Sequence, residues 1–133
     1  MLKRHTPGTI HPPFSNYALG IEVAAGSRLL FCSGQLGIAP DGSIPENAKA
    51  QAEVCFANIK AVLESAGMGF ANIIRINAYV TDRAYLPDYM AVRNALFPVE
   101  SPASTLMIVT GFARDIFKVE IEVVAAAPER ETK

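Results

Sequence analysis

Two carboxylates stand two residues apart in an apolar run, Lys118-Val119-Glu120-Ile121-Glu122-Val123. If the run is a β-strand, Glu120 and Glu122 share one face, because side chains alternate across a strand. A carboxylate drawn partly out of water, or crowded by a like charge, holds its proton more tightly and becomes a base able to activate water. The same pattern also fits a solvated strand face with Lys and Arg partners, since surface carboxylates are the rule. A second candidate is Ser33-Gly34-Gln35. Glycine lets a ligand approach the backbone closely, and it also simply ends strands.

Other chemistries lack their parts. No Walker-type or dinucleotide fingerprint is present, and Gly67 and Gly69 read as a helix stop. His5 and His11 lie in the N-terminal segment with no Gly-x-Ser-x-Gly elbow, which discounts a hydrolytic Ser-His-Asp arrangement. Cys32 and Cys55 form no Cys-x-x-Cys pair and read as small buried hydrophobes. With neither histidine in ligand-like spacing, no metal and no cofactor is expected.

The 133 residues fit one domain, residues 1–133. Half of them are hydrophobic and 19% are charged, an apolar share at the top of the ordinary range. Part of that apolar surface is expected between subunits. A net charge of -1, with no basic run longer than Lys3-Arg4, gives no electrostatic footprint for nucleic acid. Residues 1–8 contain no apolar leader core, and no segment approaches the ~18 apolar residues of a membrane span. A cytoplasmic protein is expected.

The elements that must hold these residues follow from periodicity. Residues 18–24 and 28–32 read as a hairpin around Ala25-Gly26-Ser27, with residues 3–5 as an added edge strand. Pro40-Asp41-Gly42 reverses the chain. A helix opens at Pro45 and closes at Gly67. Ala52, Cys55, Phe56, Ile59, Val62, Leu63 and Ala66 make its apolar stripe, and Gln51, Glu53, Asn58, Lys60 and Glu64 its polar remainder. Residues 74–81 alternate strictly: Ile74, Ile76, Ala78 and Val80 face a core, while Arg75, Asn77, Tyr79 and Thr81 suit an interface or cleft.

Asp82 caps a second helix over residues 85–97, ended by Pro98. Strands at 104–109 and 118–126 follow, joined through Gly111 and Arg114, and the tail from Glu129 is expected to fray. Two late helices can cover only one face of a six-stranded sheet, so the other face calls for self-association.

Ordered matches run from Pro13-Phe14 to Ala126. They comprise Cys32-Ser33-Gly34-Gln35, Pro40-Asp41-Gly42, the helix from Gln51-Ala52 to Ala66-Gly67, Tyr79-Val80-Thr81-Asp82, Phe97, Pro102-Ala103 and Glu120-Ile121-Glu122. In these the chain resembles the reactive intermediate deaminase (Rid, YjgF-like) family. The resemblance implies a chorismate-mutase-like α+β fold, with a six-stranded, mostly antiparallel sheet and two helices packed on one face. It also implies a homotrimer around a central barrel, with three clefts at subunit boundaries. Archetypal members hydrolyse enamines and imines such as 2-aminoacrylate and 2-iminobutanoate to 2-keto acids and ammonia, without cofactor or metal.

Carried onto this chain, the resemblance makes Glu120 the water-activating residue and places the Gly34 backbone at the site. The family's substrate-clamping arginine follows Pro-Ala, and here Ser104 stands there. Phe14 matches the family's aromatic hydroxyl and Met90 its helix asparagine, so the cleft becomes more apolar. Ser104, Thr105, Asn77 and Tyr79 are expected to shape the pocket, and Arg75 or Arg114 of a neighbouring subunit is a candidate replacement clamp. The implied activity is cofactor-independent deamination of an enamine or imine metabolite, with a range shifted toward larger or less anionic ligands. The alternative is a non-catalytic trimer that binds a small metabolite or a partner protein in the same cleft.

Overall fold

The computed structural model describes residues 2–130. In chain order its elements are β1 (Leu2–His5), β2 (Gly20–Val23), β3 (Arg28–Leu36), α1 (Ala48–Ser65), β4 (Ile73–Val80), α2 (Leu86–Leu96), β5 (Ala103–Ile108) and β6 (Val119–Ala127). Among the described residues, no helix is long and apolar enough to cross a membrane.

The strands do not form the single six-stranded, mostly antiparallel sheet that was expected. They divide into a two-stranded β1-β2 sheet and a four-stranded sheet in the order β3-β6-β4-β5. The larger sheet is mixed: β6 runs antiparallel to β3 and β4, whereas β4 and β5 are parallel. That parallel pair follows from α2, because a helical crossover returns the chain to the same end of the sheet. The predicted hairpin of β2 with β3 is likewise replaced. The turn at Gly26 is present, with φ +81, but nine-residue β3 pairs with nine-residue β6, and four-residue β2 pairs with β1.

Helix α1 lies across β3 and β6 and contacts α2, so both helices cover one face. The core between them and the sheet includes Phe56, Ile59, Leu63, Ile76, Val80, Val119 and Ile121. Asn47, rather than Pro45, starts α1: its side chain accepts from the Ala50 amide at 2.7 Å. A short polar side chain at this position satisfies an amide that the helix cannot. At the other end Gly67, with φ +69, allows Met68 N to bond Leu63 O and Gly67 N to bond Glu64 O, closing the helix as predicted. Asp82 caps a single short turn, Arg83–Tyr85, from which α2 continues.

Two side chains depart from their predicted faces. Ile73, not Ile74, is buried, because β4 shifts register against β6 between Ile73 and Arg75. Gln51, assigned to the polar side of α1, is fully buried. Its amide donates to Pro45 O at 2.8 Å and Ile116 O at 2.9 Å, and its oxygen accepts from Lys118 N at 2.8 Å. One side chain thus joins the start of α1 to the segment that leads into β6.

Candidate functional site

The two faces of strand β6 differ. Val119, Ile121 and Val123 are buried under the helices, and alternation turns Glu120, Glu122 and Val124 toward the face that no helix covers. The neighbouring strands complete this open face. Tyr79 of β4 stands opposite Glu120 and Asn77 opposite Glu122; Thr105 of β5 lies beyond Asn77, and Phe31 of β3 lies opposite Val124. Cys32 pairs with Val123 but Gln35 with Ile121, so β3 holds one extra residue at Ser33-Gly34. Such bulges re-aim the groups they carry. Between Phe31, Ser33, Asn77 and Glu122 the open face has a depression of about 330 Å³.

The two carboxylates differ in their bonding. Glu122 Oε1 accepts from the Tyr79 hydroxyl at 2.9 Å and from Asn77 Nδ2 at 3.2 Å. Glu120 accepts no side-chain hydrogen bond among the described residues. It lies instead against Gly34, where a Cβ would sit 2.9 Å from Glu120 Cδ and 3.2 Å from its Oε1. Burial, and secondarily the Glu122 charge, push the Glu120 carboxyl above its ordinary range. Glu122 is therefore anchored, while Glu120 is a base with free lone pairs. Tyr79 is pushed upward as well, first by its bond to Glu122, so its hydroxyl acts as a donor.

Gly34→Ala tests the close approach. The new Cβ would meet the mobile end of Glu120 rather than backbone, so the carboxylate would swing aside with little loss of stability. With Glu120 acting as a base, activity would fall by about 10- to 100-fold, because displacements near 1 Å at a reacting group cost on that order. Steady-state rates measured beside a thermal melt separate the two effects.

The remaining predicted site residues lie elsewhere in a single chain. Ser104 stands opposite buried Ile76, and its neighbour Thr105 points to the open face, accepting from Arg75 Nη2 at 2.7 Å. Ser104 thus faces the helix layer, where Met90 packs against the core. Phe14 is 87% exposed, edge-on to Tyr17 at 6.0 Å, in a segment that Ala18 N ties to Pro102 O just ahead of β5. Arg114 lies between β5 and β6 with its guanidinium 4.9 Å from the Phe117 ring centroid. Gly34, Asn77, Tyr79, Thr105 and Glu120 are therefore brought to one face, whereas Ser104 and Met90 turn to the helix layer and Phe14 and Arg114 stand on connecting segments.

Both cysteines are buried and free. Burial, followed by the Glu120 charge, pushes the Cys55 thiol up to about 12, and it donates to Gln35 O at 3.1 Å. A thiol held protonated is no nucleophile. Sequence reasoning left Glu122 without a role of its own; the signal was its pairing with Asn77 and Tyr79, which requires the strand order.

Two helices on one face of a mixed sheet, with Glu120, Glu122, Asn77 and Tyr79 together on the other, define a small α+β protein. The family model described as Endoribonuclease L-PSP matches residues 10–127, and the chain belongs to that family. It is 32% identical over 126 residues to the RutC family protein YjgH of Escherichia coli, covering 93% of this chain and 94% of that protein. It is 28% identical over 125 residues to the 2-iminobutanoate/2-iminopropanoate deaminase of Escherichia coli, covering 91% of each. Among solved structures, YyfB of Yersinia pestis, from the conserved Rid protein family, superposes with a TM-score of 0.83 at 27% identity, covering 95% and 98% of the two chains.

Proposed function

We propose that the protein is a hydrolytic deaminase of an enamine or imine metabolite, its range shifted by Ser104 toward larger or less anionic ligands, that uses Glu120 as its base and needs no cofactor. The observation that carries the reading is the Glu120 carboxylate itself: without a side-chain hydrogen bond among the described residues, raised by burial, and set against a glycine on an open sheet face. The similarity to an imine deaminase over nearly the whole chain supports the same chemistry. Glu120 takes a proton from water as the water oxygen attacks the carbon of C=N. The proton passes to nitrogen to give a carbinolamine; as its C–N bond breaks, Glu120 relays the hydroxyl proton to the departing amine, and the products are ammonia and a carbonyl compound. Anchored Glu122 keeps the neighbouring charge that disfavours ionisation of Glu120.

In this reading residues 1–133 act as one domain within a homotrimer, and the site is completed at a subunit boundary. Two features support it. The open face exposes Phe31 (74%), Met107 (53%) and Leu29 (52%) beside its polar groups, a mixture suited to an interface. Phe14 and Ser104, which the resemblance assigns to the site, lie away from Glu120 in one chain, and a second copy can supply them.

The test is ammonia release from 2-iminobutanoate generated in situ, followed against pH and against an enzyme-free control. The reactive form of Glu120 is ionised, so kcat/KM should fall as pH drops through its raised pKa, with an acid limb above the ordinary carboxylate range. Glu122→Gln should move that limb down, though not fully, because burial is the larger cause. No acceleration over the control at any pH, with 2-iminobutanoate or with a bulkier or uncharged imine, overturns the reading. Ligand binding without turnover, surviving Glu120→Gln, would favour the binding-module alternative.

A further inference from the structure

Helix α1 carries a row of charges on the side it turns to solvent. Lys49, Glu53, Ala57, Lys60 and Glu64 are all exposed, and their helical spacing aligns them along one stripe. Between this row and α2 runs a groove of about 540 Å³, lined at Phe56 and Phe70 and, on the α2 side, by Ala91, Val92, Ala95 and Leu96. The α2 wall thus brings no charge to the groove.

The row is poorly arranged for a helix that stands alone. Lys49 and Glu53, and again Lys60 and Glu64, run Lys before Glu, the weaker order for an i,i+4 pair. The ends of the row also oppose the helix dipole: Lys49 lies in the first turn, which holds no acid, and Glu64 in the last, which holds no base. Lys60 and Glu64 approach only to 3.9 Å, and their side chains stay 60% and 61% exposed.

Both faults are reversed beside an antiparallel copy of the same helix. The charges read plus, minus, plus, minus at intervals of four, seven and four residues, an order that is its own complement when turned end for end. A two-fold axis between Phe56 and Ala57 sets Lys49 opposite Glu64 of the second copy and Glu53 opposite Lys60 of the second copy, each pair occurring twice by symmetry. Each Glu64 then stands by the N-terminus of the other helix, and each Lys49 by its C-terminus. Ala57, at the centre, lets the two helices approach.

We propose that the exposed face of α1 is a self-association surface on which α1 of a second copy docks antiparallel, about a two-fold axis between Phe56 and Ala57. The helix layer lies opposite the open sheet face, so the contact leaves Glu120 free and stands independently of the deaminase reading. The 18 residues of α1 span roughly 27 Å. A contact of that length is smaller than the ~800 Å² per partner of a standard interface, and its ion pairs are exposed. The association is therefore weak and sensitive to salt.

The test is cross-linking of the full-length protein with a short bis-maleimide at high micromolar concentration, after Ala57→Cys. Cys32 and Cys55 are buried, so wild type gives the background, and Glu22→Cys, exposed on β2, gives the rate of chance collision. Ala57→Cys should link pairs of chains well above both. In that background Glu53→Lys or Lys60→Glu turns two attractions into repulsions and should cut linking by about 10-fold. The two reversals combined restore every pair and should restore linking, which also shows that the single variants lost pairing and not their fold. Salt at about 1 M should cut linking as the single reversals do, since the Debye length falls to about 3 Å. Linking no higher than in Glu22→Cys overturns the proposal and leaves the groove to a different partner. Linking that ignores the single reversals, or that stays low in the combined variant, overturns it as well.

Discussion

Glu120→Gln should reduce imine hydrolysis by about 10²- to 10⁴-fold, the range over which a positioned general base acts. The substitution keeps the volume and shape of the side chain against Gly34 and removes only its capacity to take a proton. Its effect on stability should have the opposite sign. The Glu120 carboxyl is raised in the folded chain, so its stabilising share is full below the unfolded pKa and is lost as pH rises through the folded value. At neutral pH the glutamine variant, which carries no charge near Glu122, should melt no lower than wild type. A variant that is dead and no less stable separates catalysis from folding. A variant that is dead because it is unfolded would contradict the account.

Gln51→Ala should be the most destabilising single change outside the apolar core. It removes three buried hydrogen bonds at once and leaves Pro45 O, Ile116 O and Lys118 N without their partner. Each such group costs about 1–3 kcal/mol when stranded, partly relieved by water entering the space, so a loss of roughly 3–5 kcal/mol is expected. For a chain of this size that corresponds to a melting temperature lower by about 10 °C or more. Gly37 shows how tightly the site is filled: a Cβ there would lie 2.8 Å from Gln51 Cβ and 2.9 Å from its Cα. Because the lost bonds also hold the entry to β6, some loss of activity should accompany the fall in stability. Denaturant unfolding that finds Gln51→Ala within 1 kcal/mol of wild type would show that water replaces the amide without penalty.

What the sequence made legible were features of short range. Strict alternation in β4 and β6 placed Asn77, Tyr79, Glu120 and Glu122 on shared faces, and the structure has them there. The Gly67 stop was readable because a positive φ has a residue signature. Features set by partners distant in the chain were not readable. Gln51 looks polar and solvated on a helical wheel, and only its meeting with Ile116 and Lys118 shows it to be interior. The pairing of β3 with β6 rather than β2 depends on a comparison of ladder lengths that no local pattern contains.

The site was half legible for the same reason. Resemblance singled out Glu120, Gly34, Phe14 and Ser104 together, yet in one chain the first two share a face and the last two lie toward the helix layer and its strap. The candidate replacements for the clamp, Arg75 and Arg114 of a neighbouring subunit, make other contacts within one chain. Arg75 is engaged by Thr105, and Arg114 by the Phe117 ring.

The most direct measurement is ammonia and 2-oxobutanoate release from in situ 2-iminobutanoate, with wild type and Glu120→Gln run beside an enzyme-free sample from the same imine pool. The account predicts acceleration by wild type and a return to the uncatalysed rate in the variant. Wild type indistinguishable from the enzyme-free sample, with 2-iminobutanoate and with a bulkier or uncharged imine alike, or a folded Glu120→Gln as fast as wild type, would contradict it.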